Sequence, residues 1–167
     1  MAYRLDSTKE DGIYDFIKDI VGSSVNVIWD KPGESRPEKP YVTISILNGP
    51  TKIGDRTEVR YKETDTWRYY FEKRLTLSIG TYANSNDIDL MNDINNGLYL
   101  DSKLDILRSV GIAVWTINGP FDMSAVVDDD WEYRSHLDVM MAYGEFVDDI
   151  PGEIQQVELN DRLIDAT

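Results

Sequence analysis

Two long stretches of this chain alternate apolar and polar residues with a period of two, which is the spacing of side chains on one face of a β-strand. One stretch lies within residues 67–82 and the other within residues 133–143. Their apolar faces consist of Leu75, Leu77 and Ile79, and of Leu137, Val139, Met141 and Tyr143. An apolar face on only one side is typical of an antiparallel sheet whose other side is polar. We therefore predict two long strands with one buried face.

Helical stripes of apolar residues surround these strands. Apolar residues recur at helical spacing over 13–21, and Ser7 or Thr8 is predicted to cap the start of that helix, which is expected to end before Gly22. Shorter stripes predict a helix around 88–98 and another over 101–110.

Shorter alternating segments complete the predicted secondary structure. They lie at 25–29, 41–47, 112–117 and 154–159, with a chain turn expected at Gly119 and Pro120. The polar segment 48–66 contains an alternating Thr57, Val59 and Tyr61, and predicts a protruding β-hairpin. The order of helix, strands, helices and strands predicts an α+β fold, with a mostly antiparallel β-sheet flanked by helices. The length of 167 residues favours a single domain over residues 1–167.

The distribution of charge restricts the partners of this protein. The chain has 17 Lys and Arg against 31 Asp and Glu, for a net charge of −14. Residues 1–80 hold 13 basic and 13 acidic side chains, whereas residues 81–167 hold 4 basic and 18 acidic ones. Binding of nucleic acid requires clustered Lys and Arg side chains that neutralise the phosphates. The sequence contains no such cluster and predicts that the chain repels DNA.

Residues that carry chemistry are scarce. The absence of cysteine excludes disulfides and zinc–thiolate sites, and His136 is the only histidine. The parity of its strand places His136 opposite the apolar face, which favours a solvent-facing or interface position over a catalytic one. The densest acidic cluster, here called the acidic run, lacks the ligand spacing and central glycine of a calcium loop. It consists of Asp128, Asp129, Asp130 and Glu132. The sequence therefore predicts no enzyme activity and no cofactor.

Aromatic residues on both faces of one predicted strand indicate an assembly interface. Trp67 and Tyr69 share one face of that strand, and Tyr70 lies on the other. Such a strand is usually covered on both sides, and Trp, Tyr and Arg are enriched at interfaces. The predicted hairpin adds further residues of this kind. These are Lys52, Arg56, Arg60 and Tyr61. We predict that all seven contact a partner, with an aromatic-rich monomer core as the alternative.

The order of these segments resembles the phage neck and tail-terminator proteins, in particular the neck terminator-like family. An amphipathic helix precedes a strand that ends in Trp29, and a proline-containing loop leads into the extended segment 36–44. The strand 75–82 and the final segments, 104–117 and 133–139, follow in the same order as in that family. The resemblance covers residues 25–160.

The resemblance implies a structural virion protein without catalytic residues or cofactors. It also implies a subunit of a ring, commonly of six copies, that caps the tail tube and joins it to the head connector. The implied partners are sister copies, the tail tube or sheath protein, and the head–tail connector protein. The implied location is the tail or neck of the virion, after assembly in the host cytoplasm. DNA is expected to pass through the ring without specific binding. The acidic run, Asp128 to Asp130 with Glu132, and the region Glu145 to Glu153 are expected to line that channel.

Two alternatives to a tail terminator remain open. One is another head–tail connector or head-completion protein, which belongs to the same structural class. The other is a carboxylate-dependent hydrolase built on the acidic run, because some hydrolases need only Asp and Glu.

Overall fold

A computed structural model describes residues 5–31, 33, 35–61, 64, 66–85, 88–127 and 129–150. Its helices and strands are, in order, α1 (Ser7–Val21), β1 (Asn26–Trp29), β2 (Tyr41–Tyr61), β3 (Thr66–Ala83), α2 (Ile88–Gly97), α3 (Asp101–Ser109), β4 (Ile112–Asp122), β5 (Ala125–Val127) and β6 (Asp130–Asp149). The predicted α+β class is confirmed. The predicted strand 154–159 lies outside the described residues.

One sheet organises the fold. Its strands follow the order β1-β2-β3-β6-β4, and β5 adds to β6. The pairs are antiparallel except β1 with β2, which is parallel. The central strand β3 pairs with β2 on one side and with β6 on the other, so Ile44, Ile79 and Leu137 lie side by side. These neighbours come from the apolar alternation of three separate strands, which fixes their register.

The helices cover the apolar face of the sheet. Phe16 and Ile17 of α1, Ile94 of α2 and Leu107 of α3 are fully buried in one cluster with sheet residues such as Leu77. Burial of such side chains stabilises the fold by about 1.5–3 kcal/mol each. Within the described residues, the helices are all too short or too polar to cross a membrane.

The start of α1 differs from the prediction. Asp6, rather than Ser7 or Thr8, is the cap, and its Oδ1 accepts a hydrogen bond of 3.0 Å from the backbone N–H of Lys9. Asp6 has extended backbone angles, as a capping residue requires, whereas Ser7 is already helical. The predicted end is confirmed, because Gly22 adopts a φ of 78° and its N–H donates to the Lys18 carbonyl.

The predicted turn at Gly119 and Pro120 is wrong. Strand β4 continues to Asp122. From Asn118 to Phe121 it advances three positions, whereas β6 advances only two, from Asp138 to His136. A β-bulge absorbs the extra residue, and Gly119 meets the bulge geometry with a φ of 117°. Glycine followed by proline is a common signal for a turn as well as for a bulge, and only pairing with a neighbouring strand distinguishes the two.

Candidate interaction surfaces

The sheet continues past its helices as a three-stranded projection, here called the arm and defined as residues 51–61, 66–74 and 144–149. Strand β3 pairs there with β2 on one side and with the end of β6 on the other. None of the described arm residues belongs to the buried core, and every residue over 54–61 is exposed. The segment 48–66, predicted as a hairpin, supplies the outer strand of this arm. The third strand, from β6, was not expected.

One face of the arm carries three aromatic rings, each with a cation above it. Trp67, Tyr69 and Phe71 lie at alternate positions of β3, on the face that continues the apolar side of the sheet. The charged groups and ring centroids are 4.1 Å apart for Lys52 and Phe71, 4.6 Å for Arg56 and Tyr69, and 5.7 Å for Arg60 and Trp67. Each such contact contributes about 0.5–1 kcal/mol at an exposed site. Five of the seven predicted interface residues thus lie together on this face.

The other face of the arm carries a second aromatic cluster. The hydroxyls of Tyr61 and Tyr70 are 3.2 Å apart, and the rings of Tyr70 and Phe146 lie at 6.1 Å. Arg68 stacks 4.1 Å from the Phe146 ring centroid and donates hydrogen bonds of 2.6 and 2.8 Å to Asp148. Those bonds hold the pKa of Asp148 below its usual value and raise the pKa of Arg68. The rings remain exposed, with fractions of 40% for Tyr61, 39% for Tyr70 and 53% for Phe146.

The structure therefore brings all seven predicted interface residues into the arm. Three of them lie on β3 and the other four on β2. Sequence reasoning missed Phe146 and Asp148. The acidic composition of the region 145–153 had suggested a channel wall instead, and its residues 151–153 lie outside the described part of the chain. Only the pairing of β6 with β3 shows that these residues join the arm.

The opposite end of the β3–β6 pair carries a small hairpin formed by β5 and the start of β6, here called the β5–β6 hairpin. Val126 pairs with Trp131, whose ring meets that of Tyr133 edge-on at 6.2 Å. Val126 is 62% exposed and Trp131 is 56% exposed. Asp129 occupies the turn with a φ of 68°, a conformation that Asp and Asn tolerate better than most residues.

The acidic run is divided by this hairpin. Asp129 and Asp130 are exposed, whereas Glu132 lies 2.8 Å from the ammonium of Lys39 and 3.7 Å from the guanidinium of Arg134. The hydrogen bond from Lys39 holds the pKa of Glu132 below its usual value. Asp128 lies outside the described residues. Among the residues that are described, no group of three or more acidic or histidine side chains is placed to hold a metal.

His136 has polar neighbours on the face of the sheet away from the helices. Its Nδ1 is 3.0 Å from Ser78 Oγ, and its Nε2 is 2.9 Å from Asp138 Oδ1. A nucleophilic serine also needs donors aimed at the developing oxyanion. Ser78 lies in mid-strand, paired with both β2 and β6, so the surrounding backbone N–H groups belong to the sheet ladders. The three residues form a polar patch of the sheet surface.

Several strand edges lack a strand partner within the described residues. The pairing of β1 with β2 ends at Ile44, and the pairing of β4 with β6 ends at Tyr143. This leaves open the outer edge of β2 over 45–61 and that of β6 over 144–149. Register shifts and Pro50 interrupt the β2 edge, whereas the β6 edge is regular. A regular open edge is a template for pairing with another chain.

Comparison with known proteins identifies a family for this chain. Residues 10–162 match the model of a family described as phage neck terminator protein. No curated protein matches the chain.

Proposed function

Because this chain belongs to the phage neck terminator family, whose members are structural proteins, we propose that its copies form a ring that caps the tail tube and joins it to the head connector. The matched segment spans nearly the whole chain, so the family role applies to the fold described above. The same proposal includes six copies in the ring, with the tail tube and the connector as direct partners. It also includes assembly in the host cytoplasm onto the virion.

The arm is the observation that carries the proposal. Its rings are exposed on one face and half-buried beneath cations on the other, and no helix in the described part of the chain covers either face. A projecting sheet without an apolar core gains little stability by itself. Trp, Tyr and Arg are the residue types that contribute most to protein interfaces. A partner chain that covers the arm accounts for both its length and its composition.

The open strand edges support a ring made of identical contacts. A contact between two different surfaces of the same chain is head-to-tail, and it closes into a ring when the rotation between copies allows. The arm, which includes the regular β6 edge, lies at one end of the molecule. A contact between the arm and a surface elsewhere on a sister copy is therefore head-to-tail. This is the geometry that a cap on a hollow tube requires.

The charge of the chain supports the proposal that DNA passes through the ring. A net charge of −14 disfavours phosphate contacts, and several of the basic side chains are already held by acidic partners, as Arg68 is by Asp148. Asp129 and Asp130 retain exposed carboxylates. We propose that they lie at the channel or at the subunit boundary that opens on it. Glu132, held by Lys39, contributes less to that surface.

Removal of the β2 and β3 strands of the arm tests the ring, and the resulting variant is here called the armless protein. Thr51 and Arg74 are directly paired across β2 and β3, so a two-residue Asn-Gly turn can replace Lys52–Lys73 and reconnect the two strands. The core lies outside the deleted residues. We expect a folded, monomeric protein that native mass spectrometry finds near its own chain mass and that is absent from phage particles.

A matched control leaves the arm in place and changes an exposed surface elsewhere, with Asp89→Asn and Asp93→Asn on α2. This variant should assemble like the unmodified chain, at a multiple of 19.2 kDa. Normal rings from the armless protein would contradict the proposal. Immunogold labelling of particles separates a tail terminator from another head–tail connector, because the two occupy different levels of the neck.

A further inference from the structure

We infer, on the basis of the ring proposed above, that the arm of one copy docks on the β5–β6 hairpin of the next copy. The hairpin and the arm are the two ends of the same long strand pair. Each end exposes large apolar side chains, and acidic residues outnumber basic ones at the hairpin end.

The hairpin end exposes an apolar group that nothing in the described part of the chain covers. Besides Val126 and Trp131, the neighbouring Met123 and Val127 are exposed. Single exposed apolar residues are ordinary, but several of them at one end of the sheet favour an interaction site. Its chemistry suits the three rings on the cation-bearing face of the arm, Trp67, Tyr69 and Phe71.

The two ends also differ in charge. The arm has six basic residues, Lys52, Arg56, Arg60, Arg68, Lys73 and Arg74, and six acidic ones, Asp55, Glu58, Glu72, Glu145, Asp148 and Asp149. Residues 121–134 contain five acidic side chains, Asp122, Asp128, Asp129, Asp130 and Glu132, against the single Arg134. The hairpin end therefore has a net charge of −4. The outer strand of the arm, β2, contributes the three cations Lys52, Arg56 and Arg60. These cations complement Asp129 and Asp130 of the hairpin.

Distance makes this contact intermolecular. The β3–β6 pair runs from Trp67 and Asp149 at the arm tip to Ala83 and Tyr133 beside the hairpin. At about 3.4 Å per residue, the two ends are roughly 50 Å apart along the strands. An arm cannot reach the hairpin of its own chain, so the occupant is a second copy. Contacts between opposite ends are head-to-tail, which is the arrangement that closes into a ring.

The turn between α2 and α3 is the natural control surface. Tyr99 is 68% exposed and Leu100 is 51% exposed, close to the values of Val126 and Trp131. Asp89 and Asp93 give the helical layer acidic charge as well. That layer has fewer exposed apolar residues than the hairpin, which favours the hairpin as the docking site.

The experiment compares two matched double variants, Val126→Asp with Trp131→Ala, and Leu100→Asp with Tyr99→Ala. Assembly is scored by native mass spectrometry and by incorporation into phage particles. We expect the hairpin variant to lose assembly completely, with an unchanged melting temperature, and the control variant to assemble normally. Normal assembly of the hairpin variant, or loss of assembly by the control alone, would overturn the inference.

A mixing experiment tests the head-to-tail contact itself. The armless protein retains its hairpin, and the hairpin variant retains its arm. A mixture of the two should form a 1:1 pair that cannot grow, although each alone stays monomeric. Failure to form the pair, or dimers of the hairpin variant alone, would overturn the inference and leave the ring intact. If the unmodified chain neither assembles nor enters particles, the proposed function itself fails.

Discussion

At the scale of single residues, glycines determine how closely the helices pack. Gly12 of α1 is buried where α1 passes the end of α3, and a Cβ at this position would lie 2.5 Å from Val110 Cγ2 and 2.9 Å from Val110 Cγ1. Gly97 plays the same part where α2 meets Ile20. The branched side chain of Val110 has little rotamer freedom with which to move aside.

We predict that Gly12→Ala lowers the free energy of unfolding by about 1 kcal/mol. Overpacking costs about 1–3 kcal/mol, and the better helix propensity of alanine offsets roughly 1 kcal/mol of that cost. Urea denaturation measures the difference. Adding Val110→Ala to the same chain should make the Gly12→Ala change neutral or favourable, because the space is then available. A stabilised single variant would show that the two helices can separate without cost.

At the scale of elements, one strand serves two purposes. The second half of β3 places Leu75, Leu77 and Ile79 in the core, and its first half carries the rings of the arm. The same register with β6 runs through both halves without interruption. The rigid core of the sheet therefore holds the arm in a defined direction, and a surface used for assembly needs that preorganisation.

The cap of α1 gives a prediction for this element. Asp6→Ala should destabilise the protein by about 1 kcal/mol at neutral pH, because the first turn loses an acceptor for the Lys9 N–H. The hydrogen bond from the Lys9 ammonium lowers the pKa of Asp6 below its usual value. The contribution of the ionised Asp6 is therefore present above that value and declines as the pH falls through the lowered pKa.

Thermal unfolding over pH 2–7 measures this contribution, with Asp6→Asn as the matched control. Asparagine also caps helices but does not titrate, so the stability difference between the wild type and Asp6→Asn should shrink toward low pH. A difference that stays constant across this range would show that the Asp6 charge has no part in the cap.

At the scale of the whole molecule, charge separates assembly from DNA binding. We predict no retention of double-stranded DNA by the protein at physiological ionic strength, measured by filter binding. Lowering the salt strengthens the binding of a basic protein to DNA, but here it lengthens the range of repulsion and should leave binding undetectable. Binding that strengthens as salt falls would reveal a basic surface created by assembly or by the fold.

The sequence alone determined the class of fold, the apolar faces of the long strands and the helical stripes, because these depend on periodicity within one segment. The order of those segments also carried the resemblance that the family match confirms. It placed Trp67, Tyr69 and Tyr70 on opposite faces of a strand without showing what lies beside them.

Only the tertiary structure decided which strands meet. The pairing of β6 with β3 brings Phe146 and Asp148 into the arm, and the approach of Lys39 neutralises Glu132. Likewise, Ser78 and His136 become neighbours although 58 positions separate them. Periodicity records how a side chain is oriented relative to its own backbone, whereas its neighbours depend on contacts between distant segments, and no local pattern encodes those contacts.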